Sequence, residues 1–312
     1  MTPEIGSVGR GSSPRPWRPG MLPPPSPSPV LTVYAPPDGR TELSGTTLGN
    51  WVAKATNLLV LDEGLEPGDV VHVDLSPDWD LAMWCQAVWV AGATVSVPPG
   101  PADAASLLIT RGEARDEAVV DANTRAETAG LPTLTSDVRL LGNPTATGSV
   151  DADETAGRLR AQPDDLVLPA SGLGPAQSAI IWGNPDEALT ADQACATATR
   201  WASAAGLGPG DRVVLAPANH APTSPGATGD ATAGDTSGVA GDAMPGPTRD
   251  PASGPMLDVL TTAVLPLHPG ISVVLVSTPI GAGVTAASVA STLDTATLQR
   301  IADQERATIR PR

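Results

Sequence analysis

The sequence predicts an α/β protein made of two similar lobes, each with a largely parallel sheet and flanking helices. Val-rich runs alternate with segments of helical periodicity, and one strand–helix–strand unit occurs twice along the chain. Of the 312 residues, 41% are apolar but only 3% are aromatic, so the core must consist mainly of Val, Leu, Ala and seven Trp. We expect residues 30–165 to form the first lobe and residues 166–312 the second.

Two low-complexity segments lie outside this pattern. Residues 1–29 are rich in Pro and lack apolar periodicity, so we expect a disordered, partly polyproline-like arm. Residues 221–255 are rich in Gly, Asp, Thr, Ala and Pro. We expect them to form a mobile loop outside the core, because a long structureless segment cannot satisfy its backbone groups when it is buried.

The first lobe opens with a hairpin and a helix. Strand-like runs at Val30–Tyr34 and Arg40–Leu43 flank an Asp-Gly turn signal, and Ser44 can cap the helix that follows. Val70–Leu75 then has the pattern of a strand. The segment Ser76-Pro77-Asp78 supplies an N-cap, a Pro at the first helical position and an acid in the first turn.

The second helix of this lobe is apolar nearly all round. It includes Leu81–Ala91 and should pack in the interior until Gly92 ends it and Thr94–Val97 extends as a strand. Leu107–Thr110 predicts one more short strand. Residues 111–149 have a mixed pattern that predicts no element.

The strand–helix–strand unit recurs in the second half of the chain. Gly64–Val71 is echoed by Gly206–Val213 at an offset of 142 residues (206 minus 64). Gly92–Val95 is echoed by Gly270–Val273 at an offset of 178 (270 minus 92), so the second copy contains 36 extra residues (178 minus 142). This repetition predicts two related lobes that pack together. The alternative is a chance similarity between two Pro-Gly-Asp turns.

Charge and cysteine content exclude several classes of function. The formal net charge of -16 opposes binding to nucleic acid or to an anionic membrane, so we expect neither partner. Cys85 and Cys195 have no CxxC spacing and are expected to be reduced, buried thiols. The sequence has no apolar run long enough for a signal core or a membrane span, and we therefore expect a cytoplasmic protein.

A family resemblance rests on these same segments. Arg40–Val97, with its helix, Leu-x-Pro-Gly-Asp turn, strand and Ala-Gly-Ala exit, resembles the opening of the AMP-binding, acyl-adenylate-forming synthetases. Gly206–Pro217 is similar to the strand entry of their next lobe, and Leu293–Thr308 resembles a later helix that precedes an Arg-x-Thr strand start. The likeness extends over residues 30–309 with gaps and is nearest to a group of short proteins from high-GC bacteria. It implies the fold of a truncated N-terminal domain of these enzymes.

These synthetases hold the phosphates of ATP in a loop of hydroxyl residues and glycines followed by Pro-Lys-Gly. Backbone N–H groups converge on the anion there, and the lysine neutralises its charge. The corresponding residues 170–177 read Ala-Ser-Gly-Leu-Gly-Pro-Ala-Gln, which places Ser171, Gly172 and Gly174 at the cofactor-binding positions. The loop lysine is missing, and Lys54 is the only lysine in the sequence. The resemblance therefore implies a degenerate phosphate loop, no assignable catalytic residue and at most weak binding of ATP or AMP.

The family's later motifs are also missing from the sequence. It stops at Arg312, before the adenine-contacting segment, the Thr-Glu pair associated with magnesium and the ribose-binding Asp. Because adenylation needs positioned cations around the reacting phosphate, we expect a non-catalytic relative that binds a nucleotide or acyl ligand weakly at most. One alternative is a protein-interaction module that partners a synthetase or a carrier domain. Another is a diverged adenylate-forming ligase.

Other candidate sites have weaker support. His72, His220 and His268 lack metal-ligand spacing, and Asp151–Glu154 lack the pattern of a calcium loop, so we expect no metal. His220 lies where the family often has a histidine near its acyl pocket, but we prefer to interpret it as a loop residue that opens the insertion. Ser171 has no identifiable base, which argues against serine hydrolase chemistry.

Overall fold

The computed structural model describes residues 16–35, 39–98, 100, 104–111, 130–136, 150–169, 171–182, 186–216, 254–268, 270–276 and 295–311. The strands are β1 (Pro29–Ala35), β2 (Gly39–Ser44), β3 (Val70–Asp74), β4 (Thr94–Val97), β5 (Leu107–Arg111), β6 (Thr133–Ser136), β7 (Ser178–Trp182), β8 (Ala188–Thr190), β9 (Arg212–Ala216), β10 (Ser272–Val276) and β11 (Thr308–Pro311). The helices are α1 (Gly45–Asn57), α2 (Trp79–Ala91), α3 (Val150–Ala161), α4 (Ala191–Ala204), α5 (Gly254–Val259) and α6 (Thr295–Glu305), with π-helical turns at Leu58–Asp62 and Leu260–Val264.

The strands form two mostly parallel sheets, which confirms the predicted fold class. Sheet A has the order β11-β9-β10-β1-β2, and sheet B has the order β6-β5-β3-β4-β7-β8. In each sheet a single antiparallel strand lies at one edge, β2 in sheet A and β8 in sheet B. The described helices flank these sheets, as expected when crossover connections join parallel strands.

The repeated turn has the same geometry in both copies. The backbone N–H of Gly68 donates to the carbonyl of Gly92 at 3.0 Å, and Gly210 donates to Gly270 at 3.1 Å. All four glycines have positive φ values between 88° and 96°, a backbone region that side chains with a Cβ avoid. These contacts show that the sequence repeat corresponds to a structural repeat.

The aspartate of the Pro-Gly-Asp turn makes the same hydrogen bond in both copies. The Asp69 carboxylate accepts the backbone N–H of Glu66 at 2.8 Å, and Asp211 accepts that of Gly208 at 2.7 Å. Each aspartate thus closes the turn that leads into a central parallel strand, which is why the residue recurs at this position.

The two copies exchange their hairpins. The hairpin β1–β2 precedes the first copy, but β1 pairs with β10 of the second copy. The hairpin β7–β8 precedes the second copy, but β7 pairs with β4 of the first. Each copy therefore completes the sheet of the other. The predicted division into residues 30–165 and 166–312 does not separate the two sheets, because strand pairing crosses it in both directions.

Helix α2 occupies the interior between the two copies. All thirteen of its residues are buried, as predicted, and Gly92 ends it in a left-handed conformation. The side chain of Gln86 donates from Nε2 to the carbonyl of Ala263 at 3.1 Å, which ties α2 to the corresponding helical segment of the second copy. The predicted start was wrong by two residues: Asp78, not Ser76, caps the helix, because its carboxylate accepts the Trp79 N–H.

The N-terminal arm differs from its prediction. Disorder was expected over residues 1–29, but residues 16–28 follow a defined path across the protein, and Trp17 is buried. The Trp17 indole donates to the carbonyl of Met21 at 2.9 Å. One large apolar side chain and a Pro-rich backbone reduce the entropy cost of ordering this short segment. Residues 1–15 lie outside the described residues.

Two further predictions differ from the structure. Leu166–Leu168, whose apolar run predicts a strand before the phosphate-loop position, is irregular, while β6 forms within a region for which no element was predicted. Residues 217–253, which contain most of the predicted insertion 221–255, lie outside the described residues, and α5 begins at Gly254. Within the described ranges no helix has the length and apolar character that a bilayer span requires.

Candidate functional site

The predicted phosphate-loop position follows α3 and leads into β7. Its backbone donors already have partners within the protein. Gly172 donates its N–H to the carbonyl of Val90, and Leu173 donates to that of Trp89, both at 3.1 Å. The N–H of Gly174 donates to Oε1 of Gln177 at 2.5 Å. An anion cradle needs several such groups to converge unpaired on the ligand, and these three are directed elsewhere.

The acceptors of the first two bonds are the last carbonyls of α2. A helix leaves its final carbonyls without partners inside the helix, and here the loop supplies donors for them. The C-terminal end of a helix carries about half a negative charge, so it disfavours a phosphate group at this place. The loop thus acts as a cap for a buried helix.

The N-terminal arm lies directly against this loop. Gly172 has a left-handed φ of 58°, and a Cβ built on it would be 2.5 Å from the carbonyl oxygen of Gly20. A Cβ built on Gly20 would in turn be 2.3 Å from the backbone nitrogen of Leu173. Both positions therefore require glycine, and the backbone of the arm packs directly against the backbone of the loop.

The arm and the loop bind their neighbouring helices in the same manner. The carbonyl of Ser26 accepts the N–H of Thr46, the second residue of α1, at 3.1 Å. The carbonyl of Pro175 accepts the N–H of Asp192, the second residue of α4, at 3.1 Å. Since α1 and α4 follow the two exchanged hairpins, the arm and the loop are equivalent segments of the repeat.

The nearby cations on α1 and α3 are paired with acids. The Lys54 ammonium lies 3.0 Å from the Asp164 carboxylate and also donates to the carbonyl of Gln162. Arg158 lies 2.5 Å from Glu63. The three loop amides and these two cations thus all have partners within the protein.

A small apolar cavity opens beside the loop. It has a volume of about 90 Å³. Its walls are formed by the end of α1, the turn before β3 and the segment that precedes β7; they are lined by Thr56, Asn57, Val60, Leu61, Leu65, Pro67, Ala91, Leu166, Leu168, Pro169 and Ser171. Of the three predicted site residues, Ser171 lines this cavity, whereas Gly172 and Gly174 do not.

Asn57 fixes one wall of this cavity. Its Nδ2 donates to the carbonyls of Pro163 and Asp165, at 3.3 and 2.9 Å, and its Oδ1 accepts the N–H of Val167 at 3.0 Å. A single buried amide therefore holds the irregular segment 163–167 against α1. No sequence pattern indicates this role, since an Asn inside a helical pattern is usually a surface residue.

The remaining candidate residues have structural partners. The Nδ1 of His72 lies 3.2 Å from Oγ of Ser96, and that of His268 lies 3.0 Å from the carbonyl of Trp17. His220 lies outside the described residues. No cluster of potential metal ligands occurs in the part of the chain that was described. Burial raises the pKa of Cys195 to about 12, with Asp192 adding to the effect, so the thiol is unreactive near neutral pH.

Two polar networks were not predicted from the sequence. At the carboxyl ends of β5 and β6, buried Arg111 donates to Asp80 at 2.7 Å, and Ser136 donates to the other carboxylate oxygen at 2.8 Å. On sheet A, Arg212 and Arg40 both bind Glu305, at 2.6 and 2.8 Å.

These arginine contacts alter the acidity of Glu305. Burial alone would raise its pKa, but hydrogen bonds from Arg40 and Tyr34 and the charges of Arg212 and Arg40 outweigh it and lower the pKa to about 2. Both networks fix secondary-structure elements to one another.

No protein-family model matches the chain. A protein of Mycobacterium tuberculosis described as a TIGR03089 family protein is 31% identical over 187 residues, which cover 60% of this chain and 71% of that protein.

Solved structures of acyl-activating enzymes share the fold. An acyl-CoA synthetase from Brucella canis has a TM-score of 0.56 at 15% identity, covering 91% of this chain and 44% of that one. Unliganded O-succinylbenzoate coenzyme A synthetase from Bacillus subtilis has a TM-score of 0.52 at 10% identity, covering 89% and 45%. A fatty acyl-adenylate ligase from L. pneumophila, solved with acyl adenylate and pyrophosphate, has a TM-score of 0.50 at 10% identity, covering 89% and 40%. The chain spans less than half the length of each enzyme, and at these identities the likeness shows the fold alone.

Proposed function

Because the chain belongs to the TIGR03089 family and has the fold of the N-terminal domain of adenylate-forming enzymes, we propose that it is an AMP-binding-enzyme-like protein that does not catalyse adenylation. It binds ATP, AMP or an acyl group weakly at most, with Ser171, Gly172 and Gly174 as degenerate phosphate-loop positions. We also propose that it is related to short proteins of high-GC bacteria. The proposal further includes a cytoplasmic location, which two free, buried thiols favour.

One observation carries the proposal. The N–H groups of Gly172, Leu173 and Gly174 all donate hydrogen bonds to protein acceptors, and two of these acceptors are carbonyls at the negative end of α2. Adenylation builds negative charge on the transferred phosphate, and preorganised donors and cations normally stabilise it. A loop whose donors are engaged and which carries no lysine cannot supply that stabilisation.

Calorimetry with magnesium and ATP, AMP or a stable acyl-adenylate analogue tests the binding part. We expect dissociation constants of about 1 mM or weaker. A pyrophosphate-exchange assay tests the catalytic part, and we expect no exchange above background. Magnesium-dependent ATP binding in the low micromolar range together with exchange would overturn the proposal.

Ala176→Lys separates the missing charge from the closed loop. Ala176 is exposed and follows Pro175, where the resemblance places the loop lysine. If the engaged amides limit binding, the added lysine strengthens ATP binding by no more than an exposed charge provides, about fivefold. Ala176→Gln controls for side-chain size. A gain of a hundredfold or more in the lysine variant alone would show that charge was the only deficiency.

A second function, a protein-interaction module that contacts a synthetase or a carrier domain, draws support from the exposed apolar side chains at the cavity rim. The third, a diverged ligase, predicts exchange activity in the parent that Ser171→Ala reduces. Absence of exchange in the parent removes this third candidate.

A further inference from the structure

The cavity beside the loop is too small for the ligands of adenylate-forming enzymes. Its volume of about 90 Å³ compares with about 300–1,000 Å³ for sites that hold drug-sized molecules. It is also smaller than the engineered cavity of about 150 Å³ that takes benzene. One branched aliphatic side chain therefore matches its size.

The rim of the cavity is unusually apolar. Four large apolar side chains are exposed in the described part of the chain. Leu61 at 44% and Leu168 at 50% exposure line the cavity, and Val167 at 51% lies between the lining residues Leu166 and Leu168. The fourth, Leu22, lies on the arm and does not line the cavity. Exposed apolar side chains grouped around a cavity are typical of a surface that contacts another molecule.

The charge around the cavity is negative. Asp62 follows Leu61 but is paired with Arg158, whereas Glu66 lies between two lining residues and Asp165 precedes Leu166. Glu66 and Asp165 are exposed, and no described Lys, Arg or His lies within ion-pair distance of either. A second copy of this chain would bring like charges together, so the charge disfavours self-association and favours a basic partner.

We propose that this cavity is a docking site for a basic segment of another protein, which inserts one branched aliphatic side chain as its anchor. The anchor fills the cavity and packs against Leu61 and Leu168, while flanking Arg or Lys side chains meet Glu66 and Asp165. This inference goes beyond the proposed function and does not depend on the absence of catalysis. An apolar anchor with complementary charge at the rim is a common arrangement of peptide recognition.

The test uses a short fluorescent peptide with a central Leu, Arg on both sides and Gly and Ser elsewhere. Binding to the full chain is measured by fluorescence anisotropy and amide chemical shifts. We expect a dissociation constant of about 1 mM or tighter, weakened by added salt. Replacing the Leu of the peptide with Gly weakens binding about tenfold or more, and replacing its Arg residues with Glu removes detectable binding.

Protein variants locate the site. Leu61→Ser and Leu168→Ser weaken binding about tenfold, whereas the matched control Leu22→Ser leaves it unchanged. These side chains are exposed, and urea unfolding verifies that each variant remains folded. The proposal is overturned if no peptide binds up to about 1 mM, if Leu and Gly peptides bind alike, or if Leu22→Ser has the same effect. Self-association that Leu168→Ser abolishes would identify a second copy as the occupant and would also overturn it.

Discussion

Replacing Gly172 by Ala tests the contact between arm and loop directly. The backbone of Gly172 is left-handed, with φ of 58°, and the added Cβ would lie 2.5 Å from the carbonyl oxygen of Gly20. Gly206 provides a matched control because its φ is 70° and nothing lies within 4 Å of a Cβ built on it. Both variants have the same unfavourable backbone conformation, and only one has the clash.

The expected magnitudes follow from these two terms. A left-handed conformation costs Ala about 1–2 kcal/mol, which is the whole effect expected for Gly206→Ala. Gly172→Ala adds an overpacking term of about 1–3 kcal/mol, because the clashing atom belongs to backbone that is itself packed. The free energy of unfolding should therefore fall by about 2–5 kcal/mol in Gly172→Ala.

Urea unfolding of both variants and the parent measures this difference, provided that the m-value is unchanged. Partial proteolysis adds a local readout, since a displaced arm should be cleaved between residues 16 and 28 faster in Gly172→Ala than in Gly206→Ala. If the two variants lose equal stability and their arms are cleaved at equal rates, the arm does not cover the loop in solution.

Three further predictions concern the two polar networks and the hydrogen bonds of Asn57. Glu305 has a pKa of about 2 in the folded protein, so its contribution to stability is complete above pH 4.5 and is lost as the pH falls towards 2. Over that interval the parent should lose about 2 kcal/mol of unfolding free energy relative to Glu305→Gln. Urea unfolding of both proteins at each pH measures the difference. Asp80→Asn leaves the buried Arg111 guanidinium without its counter-charge and should cost about 3–5 kcal/mol in thermal unfolding, part of which the added change Arg111→Met recovers. Asn57→Ala removes three hydrogen bonds and should lower the free energy of unfolding by about 2–3 kcal/mol. Hydrogen exchange at the Val167 amide should become faster, and unchanged exchange would show that Asn57 does not hold this segment against α1.

Local rules predicted much of the fold. The Pro-Gly-Asp turns, the strands that follow them and the left-handed glycines depend on residues close together in the sequence, and the structure confirms them. The hairpin exchange could not be predicted in this way. Both hairpins precede their helices in the same order, and the choice of partner strand depends on long-range packing that local patterns do not reveal.

The candidate site shows the same division. Ser171, Gly172 and Gly174 stand where the resemblance places a phosphate loop, but the sequence does not reveal which acceptors their N–H groups bind. Those acceptors belong to Trp89 and Val90, about eighty residues earlier in the chain. Burial of Trp17 was missed for a similar reason, because composition predicts disorder even where one anchored side chain suffices to order a short arm.

The arm and the loop occupy equivalent positions in the repeat, and this equivalence indicates a structural role for the loop. Ser26 caps α1 through its backbone as Pro175 caps α4, and the two segments meet at Gly20 and Gly172. The arm has no resemblance to a phosphate loop, yet it occupies the corresponding place in the first copy. The geometry of the loop is therefore accounted for by its part in joining hairpin to helix, with no bound anion required. It follows that the loop should keep this conformation whether or not nucleotide is present, so amide shifts of Gly172 and Leu173 that move on addition of magnesium and ATP would argue for a ligand-binding role beyond this one.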